Sequence, residues 1–337
     1  MKIKLQVARC QLQAFRRSRA ARKTFNLQPA TCNQPGAFSI IEVLVVITLL
    51  SLIVFALMAV FDTTQRAFRA GATQSDVLGG GREVTSMIAS DLRQIAPSGG
   101  ANGGPVNFFA MDNNYKPINN SYQYYPYLPL GYTPLVQNLP GEIGTPPGTP
   151  PPLRTNLLNY FFLLGRENTK WTGVGYVVNA SSANPLYPLY RFYGETNTSV
   201  NPGVLFSDFT NEAYSGQWTN MSHVVDGVVH LVVRPNDVNG YPMTWYVQYE
   251  SGLLVTNYNV SFYPVAAGET GFSFYSNTVP ASVELDLGVL EDHALQRAES
   301  LPFQSLAQVH YLTNQVGAVH IFRQRVIIQN VDSTAYQ

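Results

Sequence analysis

An acid at the mouth of a membrane-length apolar run constrains this chain more than any other feature. Glu42 stands directly before residues 43–61, a run whose only polar members are Thr48 and Ser51. Roughly 20 apolar residues cross a bilayer core as a helix, so residues 38–61 suffice for one transmembrane span. Hydroxyls such as those of Thr48 and Ser51 are tolerated in a helix by bonding back to its own carbonyls. A carboxylate in hydrocarbon is costly, and an acid kept there marks a functional position. Taken without Glu42, the run would describe a plain signal anchor.

The flanks sharpen this. Residues 1–37 carry Lys2, Lys4, Arg9, Arg16, Arg17, Arg19, Arg22 and Lys23 and no acid. A secretory signal peptide is cut after its apolar core, which is then lost. Here the small residues Gly36 and Ala37 precede the core, so a cut there removes the basic leader and keeps the helix. The positive-inside rule leaves the leader in the cytoplasm and puts everything after Phe61 across the membrane. The whole chain is formally neutral, with 21 basic and 21 acidic residues. Loss of eight basic residues with the leader leaves 13 against 21, a charge of −8. That argues against nucleic acid as a partner, which needs a basic patch. Both cysteines, Cys10 and Cys32, lie in the leader. The remainder has no thiol, disulfide or Cys metal ligand, and it is long enough to bury a core without cross-links.

The stretch Gly36-Ala37-Phe38-Ser39-Ile40-Ile41-Glu42 resembles the class III signal of type IV prepilins and type II secretion pseudopilins. The resemblance implies cleavage by a prepilin peptidase, N-methylation of the new first residue, usually Phe, and a Glu at mature position five. A cut after Ala37 puts Phe38 and Glu42 in that register. A cut after Gly36, the residue type more usual in the family, makes Glu42 the sixth. The family role of the acid is to pair with the N-terminal amine of a neighbouring subunit. A carboxylate in the first turn of a helix is also favoured by the helix dipole.

Beyond Phe61 the pattern turns amphipathic. Ala67, Ala70, Val77, Leu78, Val84, Met87, Ile88, Leu92 and Ile95 fall on one broad stripe, and Pro97 with Ser98-Gly99-Gly100 ends it. The glycines 79–81 inside this stretch each cost about 1 kcal/mol against Ala. They predict a kink, a local melt or a full break. The segment Met87-Ile88-Ala89-Ser90-Asp91-Leu92-Arg93-Gln94 is similar to the end of the long helix in J-type minor pseudopilins and PilW-like minor pilins.

From residue 97 onward Asn, Gly, Pro, Tyr and Thr rise. Residues 98–155 read as a long loop region around a strand at 106–110. The aromatic and Pro-rich segment 122–130 suggests packing on a sheet or a partner-binding lip, and 140–152 suggests a mobile or polyproline-like loop. Strand signals cover 157–164, 173–178, 189–193, 223–233, 243–250, 272–276 and 281–287. Residues 227–234 and 243–246, joined by Asn236, Asp237 and Gly240, predict a hairpin. This hairpin and Pro280-Ala281-Ser282-Val283-Glu284-Leu285-Asp286-Leu287 also resemble J-type pseudopilin strands. Residues 291–312 predict two short helices interrupted by Pro302, an insertion that the family pattern lacks. A last strand at 318–328 places Arg323 and Arg325 on a solvated face.

No His-Glu-x-x-His, Gly-x-Ser-x-Gly or phosphate-loop pattern occurs. His223, His230, His293, His310 and His320 are scattered, and His230 and His320 suit satisfied sheet positions. Asn236, Asp237 and Asn239 suit a turn, with calcium ligation as the alternative. The expectation is an α+β, pilin-like chain: leader 1–37, transmembrane helix 38–61, amphipathic helix 62–96, and a periplasmic antiparallel β head over 97–337. It is expected to be a non-enzymatic minor pseudopilin of an inner-membrane secretion assembly, needing no cofactor or metal. Expected partners are other pilin or pseudopilin subunits, prepilin peptidase, membrane lipid, the assembly platform and a secreted protein cargo. The alternatives are a type IV pilus minor pilin for adhesion, motility or DNA uptake, and a tethered binding or enzymatic domain that borrows prepilin processing.

Overall fold

A computed structural model describes residues 39–99, 104–112, 135–139, 152–179, 185–215, 220–243, 259–264 and 270–331. The leader, segment 122–130, residues 140–151 of the predicted loop 140–152 and residues 244–250 of the predicted strand 243–250 lie outside the described residues. Contacts divide the chain after Thr64.

Helix α1, Ile40–Leu92, runs 53 residues without interruption, about 80 Å at 1.5 Å per residue. It is long and apolar enough to cross a membrane. Thr48 Oγ1 donates to the Val45 carbonyl at 2.8 Å and Ser51 Oγ to that of Ile47 at 2.7 Å, as the sequence implies. The expected melt or break at the triple glycine is not found. The sidedness of the glycines explains why: Gly79 and Gly80 have open space where a side chain would be, whereas Gly81 lies against the Phe322 ring. A Cβ at Gly81 would sit 2.1 Å from Phe322 Cε2. The glycine therefore lets the helix approach its neighbour there, and tertiary packing overrides weak propensity.

From Gln65 onward the second body is α+β, and among the described residues every strand ladder is antiparallel. Strands β1 (Val106–Asp112), β2 (Leu135–Asn138), β3 (Leu153–Asn156), β4 (Asn159–Glu167), β5 (Lys170–Val178) and β6 (Leu189–Asn197) come first. Helix α2 (Gly203–Ser215) and strands β7 (Met221–Val225), β8 (Val228–Asn236), β9 (Val260–Pro264), β10 (Thr270–Tyr275) and β11 (Ser282–Leu290) follow. Helices α3 (Asp292–Glu299) and α4 (Leu306–Thr313) precede the last strand, β12 (Val319–Ile327).

The described residues of the head form three sheets. Seven strands run β7-β6-β5-β4-β1-β10-β9, three run β12-β11-β8, and β2-β3 form a hairpin. That hairpin corrects the reading of 98–155 as loop around one strand. The predicted strand 223–233 is two strands, split at Gly227, whose φ of +74° suits glycine. The chain leaves the large sheet at this point and enters the small one. The parallel bridge Leu158–Leu231 links the residue before β4 to β8.

Alternating side chains of β1 and β4 bury on both faces of the large sheet. Phe108, Ala110, Phe161 and Leu163 join Val84, Ile88 and Leu92 of α1. Phe109, Met111, Phe162 and Leu164 join Leu205 and Phe209 of α2, a helix the sequence reading missed. Each fully buried Leu, Ile or Phe contributes about 1.5–3 kcal/mol. Helices α3 and α4 confirm the expected pair around Pro302. Ala294, Leu295, Ala298 and Leu312 cover one end of the small sheet over Val229, Leu290 and Val319, which gives the insertion a packing role.

Candidate functional site

Gly36, Ala37 and Phe38 lie outside the described residues; Glu42 is described and closes the first turn of α1. Its Oε2 accepts from the Ser39 backbone N–H at 2.9 Å and from Ser39 Oγ at 3.1 Å. The Glu42 N–H reaches Ser39 Oγ at 3.3 Å. This is a reciprocal capping box, which satisfies two amides that an isolated helix end leaves unpaired. Ser39 is a residue the sequence reading passed over, although the spacing Ser39-Ile40-Ile41-Glu42 is the capping-box pattern itself. The carboxylate thus has a local partner one residue from the candidate new N-terminus.

At the other end of α1, Asp91 is buried, with 6 % exposure, and takes three hydrogen bonds from the large sheet. Arg191 of β6 donates through Nε at 2.8 Å and Nη2 at 3.0 Å, a bidentate pair. The buried Tyr176 hydroxyl of β5 donates to the same carboxylate. Burial first, and the Asp91 charge second, push the Tyr176 phenol above its ordinary range. The Asp91 hydrogen bond raises the Arg191 guanidinium above the usual arginine range, against the opposing effect of burial. Asp91 belongs to the motif at 87–94, and in this fold it locks the last turn of α1 onto strands 85 and 100 residues away.

The remaining polar candidates do not converge on a reactive centre. His230 Nδ1 accepts the Leu157 N–H at 3.2 Å, and burial is the main cause that pushes its imidazole down to about 4. His320 Nε2 lies 2.7 Å from Glu291, and His223 Nε2 lies 2.6 Å from Asp226. Asp237 Oδ1 accepts from the N–H groups of Asn239 at 3.0 Å and Tyr241 at 2.8 Å. That carboxylate oxygen closes a turn, and the turn reverses the chain after β8 as the hairpin pattern predicts, up to Met243. Among the described residues no group of three or more His, Cys, Asp or Glu is placed to hold a metal.

Comparison with known proteins adds no relative. No family model, characterised protein or solved structure matches this chain significantly.

Proposed function

We propose that this chain is a minor pseudopilin-like structural subunit of a type II secretion pseudopilus. The observation that carries the reading is Ala37-Phe38 followed by Glu42 in the first turn of an unbroken apolar helix, whose far end is built into an antiparallel β head. Prepilin peptidase removes residues 1–37, Phe38 becomes the methylated N-terminus, and α1 holds the subunit in the inner membrane with its head in the periplasm. The capping box gives Glu42 a local partner before assembly. In the filament the carboxylate meets the amine of a neighbouring subunit and sets the register. Removing one side of a buried charge pair costs about 3–5 kcal/mol. The work of such a subunit is assembly and contact with cargo, not catalysis, and no cofactor takes part.

The test is intact mass and N-terminal sequencing of membrane-extracted protein, with and without prepilin peptidase. The expected result is a peptidase-dependent start at N-methylated Phe38. A retained leader, or a cut after residue 61, would overturn the reading. Glu42→Ala is expected to be cleaved and inserted normally yet to enter filaments poorly, measured by immunoblot of sheared fractions.

A further inference from the structure

One face of the three-stranded sheet carries three arginines against two acids, Glu284 and Asp286. Residues directly opposed in antiparallel strands share a face. The registers Arg234–Glu284–Arg325, Asp286–Arg323 and Ser282–Ile327 therefore put three arginines on one side. Val283, Leu285 and Leu287 point to the core on the other. Asp286, with a side chain only 8 % exposed, receives Arg234 Nη1 at 2.8 Å on one oxygen and Arg323 Nε at 3.2 Å on the other. Arg325 Nε donates to Ser282 Oγ at 3.0 Å. A guanidinium has five N–H donors, so these contacts orient the arginines and leave most donors unspent. The Arg323 side chain is 77 % exposed.

Among the described residues strand β12 is also the end of its sheet and pairs with β11 alone. Arg323, Arg325 and Ile327 occupy alternate positions, spaced about 6.6 Å apart along the strand. All three are exposed.

We propose that this edge takes up an extended acidic segment of a partner protein, added beside β12 as a fourth strand. Its carboxylates lie opposite Arg323 and Arg325, and an apolar side chain lies opposite Ile327. Main-chain hydrogen bonds give such strand addition its affinity, and alternate side chains give its specificity. The charges select the occupant. Arginines on an edge repel basic strands and discourage indiscriminate pairing. Beyond residue 37 the chain carries 13 basic and 21 acidic residues, which disfavours indiscriminate uptake of an acidic partner there. The inference rests on the sheet alone and holds whether or not the chain assembles as a pseudopilin.

The test uses the full-length protein in a neutral detergent and a displayed library of random octapeptides. Selected peptides are expected to carry Asp or Glu at two alternate positions and an apolar residue at the next. The best of them, synthesised, should bind at least about tenfold more weakly at about 300 mM salt than at 50 mM, because exposed charges are screened. Arg323→Glu/Arg325→Glu should lose binding at least about tenfold. Because Arg323 also pairs with the buried Asp286, the melting temperature is measured alongside, and Arg323→Gln/Arg325→Gln, which adds no carboxylate, should lose binding in the same direction. Selection no more acidic on wild type than on the variant would overturn the proposal. So would arginine-dependent binding to phosphatidylglycerol vesicles without peptide binding, which would assign the face to lipid.

Discussion

Asp91→Ala tests whether the last turn of α1 is locked to the sheet by charge or only by apolar packing. The substitution removes two Arg191 hydrogen bonds, at 2.8 and 3.0 Å, and the one from Tyr176. Breaking a buried pair from one side costs about 3–5 kcal/mol. The Arg191 side chain is 24 % exposed, so water rehydrates part of it and the loss falls to about 2 kcal/mol. The buried Tyr176 hydroxyl, left without its acceptor, adds about 1 kcal/mol. A total near 3 kcal/mol should lower the melting temperature of a body this size by about 6–10 °C. Circular dichroism of the detergent-solubilised protein measures that shift, and hydrogen exchange at amides 84–92 shows whether the helix end loosens. Asp91→Asn keeps the shape without the charge and should lose about half as much. Arg191→Met and the double variant complete the cycle, with a coupling of about 2 kcal/mol expected. A shift below about 2 °C for Asp91→Ala, or strictly additive Asp91 and Arg191 effects, would refute the lock.

The other predictions use the same measurement. Gly81→Ala should destabilise by about 1–3 kcal/mol, because its Cβ meets the Phe322 ring. Gly79→Ala and Gly80→Ala, with open space at the Cβ, should stabilise by up to about 1 kcal/mol each. Equal effects at all three would contradict the packing. His230 is held down to about 4 when folded, against about 6.5 unfolded. Its contribution is therefore intact above pH 6.5 and is lost as pH falls toward 4, by about 3 kcal/mol at the limit. His230→Gln keeps an acceptor for the Leu157 N–H and should flatten that part of the acid limb. An unchanged acid profile would count against the assignment. At high pH the raised Tyr176 phenol works in the opposite sense: its contribution is intact below about pH 10 and is lost as pH rises further.

Elements set by local signals were readable from the residues alone. The apolar run around Thr48 and Ser51 specifies the start of α1, and the buried stripe Val77, Val84, Ile88 and Leu92 specifies the face that packs. Alternation in Val283-Glu284-Leu285-Asp286-Leu287 marks β11. Pro302 separates α3 from α4. The Ser39–Glu42 cap was equally local and was there to be read. The continuous runs Phe108-Phe109-Ala110-Met111 and Tyr160-Phe161-Phe162-Leu163-Leu164 carried a further message: strands apolar on both faces need cover on both. Residues 203–215 supply it, and Gly173 and Gly175 admit Leu205 and Phe209 at distances no side chain would allow.

Tertiary structure alone decided the rest. Gly81 is read as a helix breaker until Phe322, 241 residues further on, is found to fill its place. Asp91 is an ordinary helix-end acid until the large sheet brings Tyr176 and Arg191 to it. The division of 223–233 depends on which sheet each half joins. Periodicity and capping act over a few residues, so they specify elements. Which element meets which is settled by burying all apolar faces at once, and no short segment contains that information.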